Sequence, residues 1–395
     1  MSLNSEFDFD TTIERKNTSS NKWDDVEKLF GAPDVLPMWV ADMDFSAPPC
    51  VQKALSDRVA HGVYGYASPR DSYRDALRGW LERRHDYVVE RDAIVYCSGV
   101  VPALSLLIQA LSEPGDPVLI QPPVYPPFAA MIGRNGRRVV ENPLVVRDGG
   151  YQMDLVDFER KVVEEGIRLF ILCSPHNPVG RVWTRAELTA LGEICLRHGV
   201  FVVSDEIHAD LILPGFQHTP FAAINPDFAA VSATCVAPSK TFNLAGLQTA
   251  FTIIADAKAR AAYQRCSDRY GSNTPNVFGL VAAQTVFEQG DAWLDALLVY
   301  LGQGAQQIDA FLRQAAPQLT WIQPEGTYLG WLDCRQLELS HEDLGAFFQK
   351  QAKVGLNNGH VFGKGGDGFM RLNFGCPHST LSDGLTRIEQ ALAAR

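Results

Sequence analysis

No stretch of this 395-residue chain approaches the ~18 consecutive apolar residues that a membrane-spanning helix requires. The opening residues, MSLNSEFDFD, carry no hydrophobic leader, so a cytosolic protein without a membrane partner is expected. Met1 to Leu3 read as a cloning remnant. The eight cysteines are scattered singly, and the absence of any C-x-x-C pair argues against a zinc ribbon or a disulfide framework. No metal site is expected. Several cysteines sit inside apolar runs such as FILC and ATCV, where a reduced thiol behaves as a small core residue. There is no low-complexity tract, no repeat and no Gly/Ser linker. Positive charge is in short supply: 35 Lys and Arg face 46 Asp and Glu, a net charge of −11. A field of that sign repels polyanions, so no nucleic-acid partner is expected, although a local pocket for one phosphate is compatible with it. Lysine is especially scarce. Only ten of the 35 cationic residues are lysines, and between Lys161 and Lys258 the chain holds a single one, Lys240.

What is present suits a large buried core. Hydrophobic residues make up 46% of the chain and mean hydropathy is −0.07. At roughly 150 residues per domain, the length suggests two or three compact units. The middle of the chain alternates strand-like and helix-like segments. Ala93 to Cys97 (AIVYC), Val118 to Gln121, Arg168 to Cys173 (RLFILC) and Val200 to Val203 (VFVV) read as strands. VVPALSLLIQAL, after Ser98-Gly99, reads as a buried helix. A further helix opens at the capping box Thr184-x-x-Glu187, presents Leu188, Leu191, Ile194 and Cys195 on one face, and stops at Gly199.

Continuous apolar strands separated by helices indicate an α/β fold with a parallel sheet covered on both faces. Ligands in such folds sit beyond the carboxyl ends of the strands. The residues there are Ser98-Gly99-Val100, Tyr125, Asn177, Asp205 and the stretch up to Lys240. After about residue 285 the texture changes to a long helix, expected to break or kink near Gly302-Gln303-Gly304, then short strands and a terminal helix. This reads as a smaller α+β domain joined by the N-terminal segment. The boundaries expected are 1–45 for that segment, 46–285 for the large domain and 286–395 for the small one.

Each candidate residue has its own chemistry. A lysine among small and apolar neighbours, as Lys240 is in APSKTFN, has its pKa lowered by desolvation, which favours the neutral amine a Schiff base needs. Asp205 ends an apolar strand, where a carboxylate opposite a pyridine nitrogen would keep it protonated. Asn177 precedes a proline in a turn, and Tyr125 offers a rigid aromatic face between prolines. Gly99 and Val100 meet a helix N-terminus, whose free N–H groups and dipole favour a phosphate. Arg371, on a strand-like run, can clamp a carboxylate in bidentate fashion.

The order and spacing of these residues resemble the signature of fold-type I pyridoxal-phosphate enzymes, the aspartate aminotransferase superfamily. Longer stretches resemble the MalY/PatB-type C–S lyases, which include cystathionine β-lyase-like enzymes: PMWVADMDF (37–45), HGVYGY (61–66), SPHNPVGRVW (174–183), SDEIHADL (204–211), APSKTFNLAGLQ (237–248) and RLNFGCP (371–377). The resemblance runs from about residue 7 to the C-terminus. It implies a mostly parallel seven-stranded sheet flanked by helices, and pyridoxal 5′-phosphate as cofactor. It implies that Lys240 carries the cofactor as a Schiff base and then acts as a base. Asp205 would pair with the ring nitrogen, Asn177 with the phenolic oxygen, and Tyr125 would stack on the ring. Gly99, Val100 and Ser239 would hold the phosphate, with His208 beside the ring. Tyr64 would reach the phosphate of the neighbouring subunit, which requires a homodimer. Arg371 and Asn177 would bind the substrate carboxylate, with Val40 and Ala41 closing over it.

Two departures from the wider aminotransferase pattern stand out. His208 replaces the tyrosine of Asp-x-x-Tyr, and the arginine that usually follows the lysine motif is Gln248, with Ala237 for the serine before it. Both match the C–S lyase group. The implied reaction is α,β-elimination on an L-cysteine S-conjugate. An aminotransferase on a small amino acid shares the same carbanion, and a regulatory binding protein on this fold is the alternative from another class.

Overall fold

Seven short strands, most of them buried on both faces, organise the larger part of the structure, a computed structural model describing residues 7–395. The Met1–Leu3 reading lies outside the described residues. In chain order the strands are β1 (Ile94–Cys97), β2 (Pro117–Ile120), β3 (Arg138–Glu141), β4 (Leu169–Cys173), β5 (Phe201–Asp205), β6 (Ser232–Val236) and β7 (Ala250–Ile254). Their spatial order is β1-β7-β6-β5-β4-β2-β3, with β7 antiparallel to both neighbours and the other pairings parallel. The α/β class and the mostly parallel seven-stranded sheet are as expected.

The alternation of strand side chains explains why helices cover both faces. On β4, Leu169, Ile171 and Cys173 pack into one core with Leu104, Leu107 and Ile108 of the Val100–Leu111 helix. Phe170 and Leu172 pack into another with Leu188, Leu191 and Cys195 of the Arg185–His198 helix. That second helix starts on the Thr184–Glu187 capping box and ends at Gly199, whose φ of 65° satisfies the left-handed C-cap.

The helix Asp291–Gln314 is unbroken, contrary to the break expected near Gly302-Gln303-Gly304. Glycine costs a helix interior about 1 kcal/mol relative to alanine, but here close packing outweighs that. A Cβ on Gly302 would stand 3.4 Å from Pro214, and one on Gly304 would stand 3.6 Å from Leu381. Leu301, Ala305 and Ile308 of the same stretch are buried.

A four-stranded antiparallel sheet follows, ordered Thr320–Trp321, Leu329–Asp333, Phe369–Asn373 and Asn357–Asn358. Its register sets Arg371 between Trp331 and Asn357. The N-terminal segment joins this half: Leu36–Pro37 pairs in parallel with Val354–Gly355. The chain then crosses the sheet edge, where Asn373 Nδ2 donates to the carbonyls of Val40 (2.6 Å) and Asp42 (2.7 Å). From the other side, Asn243 Nδ2 donates to the carbonyls of Met43 (2.8 Å) and Phe45 (2.9 Å). Residues 40–45 are thus strapped between the two halves, directly above the Lys240 turn.

Candidate active site

The carboxyl ends of β1, β4, β5 and β6 open into a cavity of about 270 Å³. It is lined by Val40, Ala41, Gly99, Val100, Tyr125, Asn177, Asp205, His208, Ser239, Lys240 and Arg371, which is every candidate residue except Tyr64. Tyr64 is 54% exposed, donates to the carbonyl of Val59 at 3.0 Å and lies against Phe278, away from the cavity of its own chain.

Lys240 sits in a one-turn helix, Pro238–Thr241, immediately after β6. Its side chain lines the cavity, and its amine donates to the Ala41 carbonyl at 2.6 Å. Burial, reinforced by the positive charge of Arg371, brings its pKa from 10.5 down to about 8. Asp205 closes β5 and is buried, and its carboxylate accepts one hydrogen bond, from the Ile207 N–H at 3.2 Å. With no cation within ion-pair distance among the described residues, burial pushes its pKa up to about 7.

Arg371 is the mirror case, a buried guanidinium with no carboxylate partner. It donates to Asn177 Oδ1 (3.0 Å), the Trp39 carbonyl (2.8 Å) and Asn357 Oδ1 (2.6 Å), and lies 5.0 Å from the centre of the Phe362 ring. Its Nε has no partner, and burial brings its pKa down to about 10. An unpaired buried cation and an unpaired buried anion are costly alone, so each marks a place for a ligand charge.

His208, three residues past Asp205, is buried with Nδ1 unpartnered. Burial and the charges of Lys240 and Arg371 hold it neutral, with a pKa down to about 3. Tyr125 packs edge-on against Phe128 at 5.8 Å, and burial raises its hydroxyl pKa. At the opposite end, the Val100–Leu111 helix begins on Gly99. The N–H groups of its first turn have no helical acceptors, and Pro102 brings none, so the end is open to an anion. A phosphate at that helix end, a basic ring nitrogen beside Asp205 and a carbonyl within reach of Lys240 together account for the unsatisfied groups. The residues fit pyridoxal phosphate.

Sequence reasoning missed several lining residues: Cys173, Ile207, Ala245 and Thr249. Thr249 follows Gln248, already marked as a departure, and that adjacency was the available signal. Two neighbours of Arg371, Asn357 and Phe362, carried none, because they reach it only through the small sheet and the turn that follows Asn357–Asn358.

The fold and this cavity define a member of the aminotransferase class I and II family, and the chain belongs to it, matching over residues 33–388. Within that family it is similar to cystathionine beta-lyase PatB of Bacillus subtilis, at 48% identity over 385 residues, 98% of this chain and 100% of that protein. It is 36% identical to protein MalY of Escherichia coli over 391 residues, 98% of this chain and 99% of that one. The crystal structure of cystalysin from Treponema denticola, which contains pyridoxal 5′-phosphate, superposes with a TM-score of 0.95 at 34% identity, covering 98% of this chain and 99% of that chain. The MalY/PatB-type resemblance of the motifs is borne out.

Proposed function

We propose that this protein is a pyridoxal-phosphate-dependent carbon–sulfur lyase that cleaves L-cysteine S-conjugates, with L-cystathionine as the prototype, to a thiol, pyruvate and ammonia. The observation that carries the reading is one cavity holding a lysine of lowered pKa, an unpaired buried carboxylate and an unpaired buried guanidinium. When bound, the cofactor supplies a conjugated ring that accepts the electron pair left at Cα when its proton is removed.

Arg371 receives the substrate's α-carboxylate, with its fork already oriented by Asn177 and Asn357. Val40 and Ala41 form the wall over that carboxylate. Lys240 would carry the cofactor, and its free amine, with a lowered pKa, takes the Cα proton on Nζ. Asp205 holds a proton at the ring nitrogen. Asn177, His208 and Tyr125 would hold the cofactor's ring, and Gly99, Val100 and Ser239 its phosphate. Lys240 or Tyr125 delivers a proton to the departing sulfur, and the released aminoacrylate hydrolyses to pyruvate and ammonia. Tyr64, exposed on its own chain, completes the phosphate site of a second copy, which makes the working unit a homodimer.

The test is to add L-cystathionine to the purified holoenzyme and assay the products. Pyruvate with stoichiometric free thiol supports the lyase. A keto acid formed without thiol, with the cofactor converted to its amine form, would instead establish an aminotransferase.

A further inference from the structure

A second cluster of ligating side chains stands at the surface, beside the short strand Asn357–Asn358 that pairs with the Arg371 strand. His341, His360 and Asp367 bring one ligand atom each to within 4.8 Å of one another. Their separations in sequence, nineteen and seven residues, match no metal-binding spacing, so the sequence shows nothing of it. The two imidazoles stack with centroids 4.1 Å apart and planes at 8°, and His360 Nδ1 lies 2.7 Å from Asp367 Oδ1. The carboxylate of Glu342 lies 3.1 Å from His341 Nε2.

The backbone under these side chains is fixed by specific contacts. Asn358 accepts from the His360 N–H through Oδ1 (3.0 Å) and donates to the His341 carbonyl through Nδ2 (2.6 Å), joining the two histidine-bearing segments through one side chain. Asp367 is brought alongside by a crossing that only glycine permits. A Cβ on Gly359 would stand 2.1 Å from the Gly366 carbonyl oxygen, and one on Gly366 would stand 2.0 Å from that of Gly359. The side chains themselves are partly to largely exposed.

We propose that His341, His360 and Asp367 form a site for one divalent transition-metal ion of the Zn²⁺ type, and that its occupancy braces the segment supplying Asn357 and Phe362 to Arg371. Two imidazole nitrogens and a carboxylate oxygen are the donor set Zn²⁺ takes at about 2.0–2.2 Å. Closing from the present spacing requires only side-chain rotation at the surface. Three protein ligands leave the fourth position of a tetrahedral ion to water. The second half of the proposal follows from chain connectivity. Asn357 bonds Arg371 and Phe362 lies against its guanidinium, while Asn358 and His360 lie between them in the same short segment. An ion fixed to His360 therefore restrains the support of the carboxylate clamp without entering the active site.

The experiment is a calorimetric titration of tag-free holoenzyme with Zn²⁺, followed by hydrogen exchange with and without the ion. One equivalent per chain, lost in His360→Ala and in the near-isosteric Asp367→Asn but kept in a neighbouring Lys364→Ala control, is the expected result. Absence of that equivalent, or its persistence in the His341→Ala/His360→Ala double variant, overturns the site. With Zn²⁺ bound, exchange of the amides in 357–363 is expected to slow by about tenfold. Unchanged exchange there, with the ion bound, overturns the bracing.

Discussion

Lys240 Nζ donates to the carbonyl oxygen of Ala41 at 2.6 Å, across 199 positions of sequence. The same carbonyl accepts from the Tyr328 hydroxyl at 3.0 Å. The amine is therefore aimed along the wall of the cavity formed by the N-terminal strap, with burial and Arg371 lowering its pKa to about 8. At pH 7 about a tenth of such amines are neutral, against well under a thousandth for an ordinary lysine. Because the neutral form attacks a carbonyl, the rate at which cofactor-free protein takes up pyridoxal phosphate should rise with pH through about 8 and then level off. A stopped-flow series between pH 6 and 10, read at the visible band, checks this; Lys240→Ala should show neither the band nor turnover.

Asp205→Asn preserves shape but removes the buried negative charge opposite the ring nitrogen. Uptake of the cofactor should persist while kcat falls by about 100-fold, the order found when one preorganised electrostatic group is lost. A normal kcat in this variant would contradict the role given to the carboxylate.

Arg371→Lys keeps the charge but loses the fork. Charge-assisted hydrogen bonds are worth about 1.5–3 kcal/mol, so KM for L-cystathionine should rise by roughly ten- to a hundredfold. Steady-state kinetics with the acid and with its carboxyl ester separates the effect: the ester, which lacks the anion, should barely distinguish variant from wild type.

Lys22, only 1% exposed, pairs with Asp44 at 2.7 Å, and Asp44 also meets Arg15 at 2.6 Å and the Trp23 indole at 2.9 Å. This cluster anchors the strap that carries Ala41. Removing one member of a buried pair costs about 3–5 kcal/mol, so Asp44→Asn should lower the unfolding free energy by that order and bring the urea midpoint down with it. Burial alone would raise the Asp44 pKa, but the charge and hydrogen bond of Lys22, the Trp23 indole and the charge of Arg15 together outweigh it and hold it below its ordinary value. Its stabilisation is then fully present above the unfolded carboxyl pKa of ~3.9. It is lost as pH falls through the lower folded value. Urea midpoints at pH 7 and pH 3 should converge between wild type and variant.

Tyr64→Ala and Lys240→Ala chains, each inactive or nearly so, should regain activity when mixed and refolded together. In the hybrid, one site combines an intact Lys240 with the Tyr64 of the other chain. Failure of any activity to return would argue against a site shared across a dimer.

Much of the site was legible because the chemistry lies at strand ends. Apolar runs such as RLFILC and VFVV fix strands by composition, and in a parallel sheet the residues that follow them share one edge; Asn177, Asp205 and Lys240 could be placed together before any coordinates. Where local signals failed, packing was the reason. Gly302 and Gly304 read as a break, yet the helix runs through them because Leu301, Ala305 and Ile308 around them bury one continuous face.

The sequence by itself determined the order of chemical groups along the chain, the strands that display them and the family they belong to, since those depend on local pattern and on motifs of contiguous residues. Tertiary structure alone decided which backbone atoms face those groups. Ala41 reaches Lys240 because Leu36–Pro37 pairs with a strand more than three hundred residues later. Arg371 gains Asn357 and Trp39 through sheet register, and His360 meets Asp367 through a glycine crossing. Such contacts carry no periodicity. They arise from the requirement that separate elements bury one another's apolar faces and satisfy the polar groups left between them.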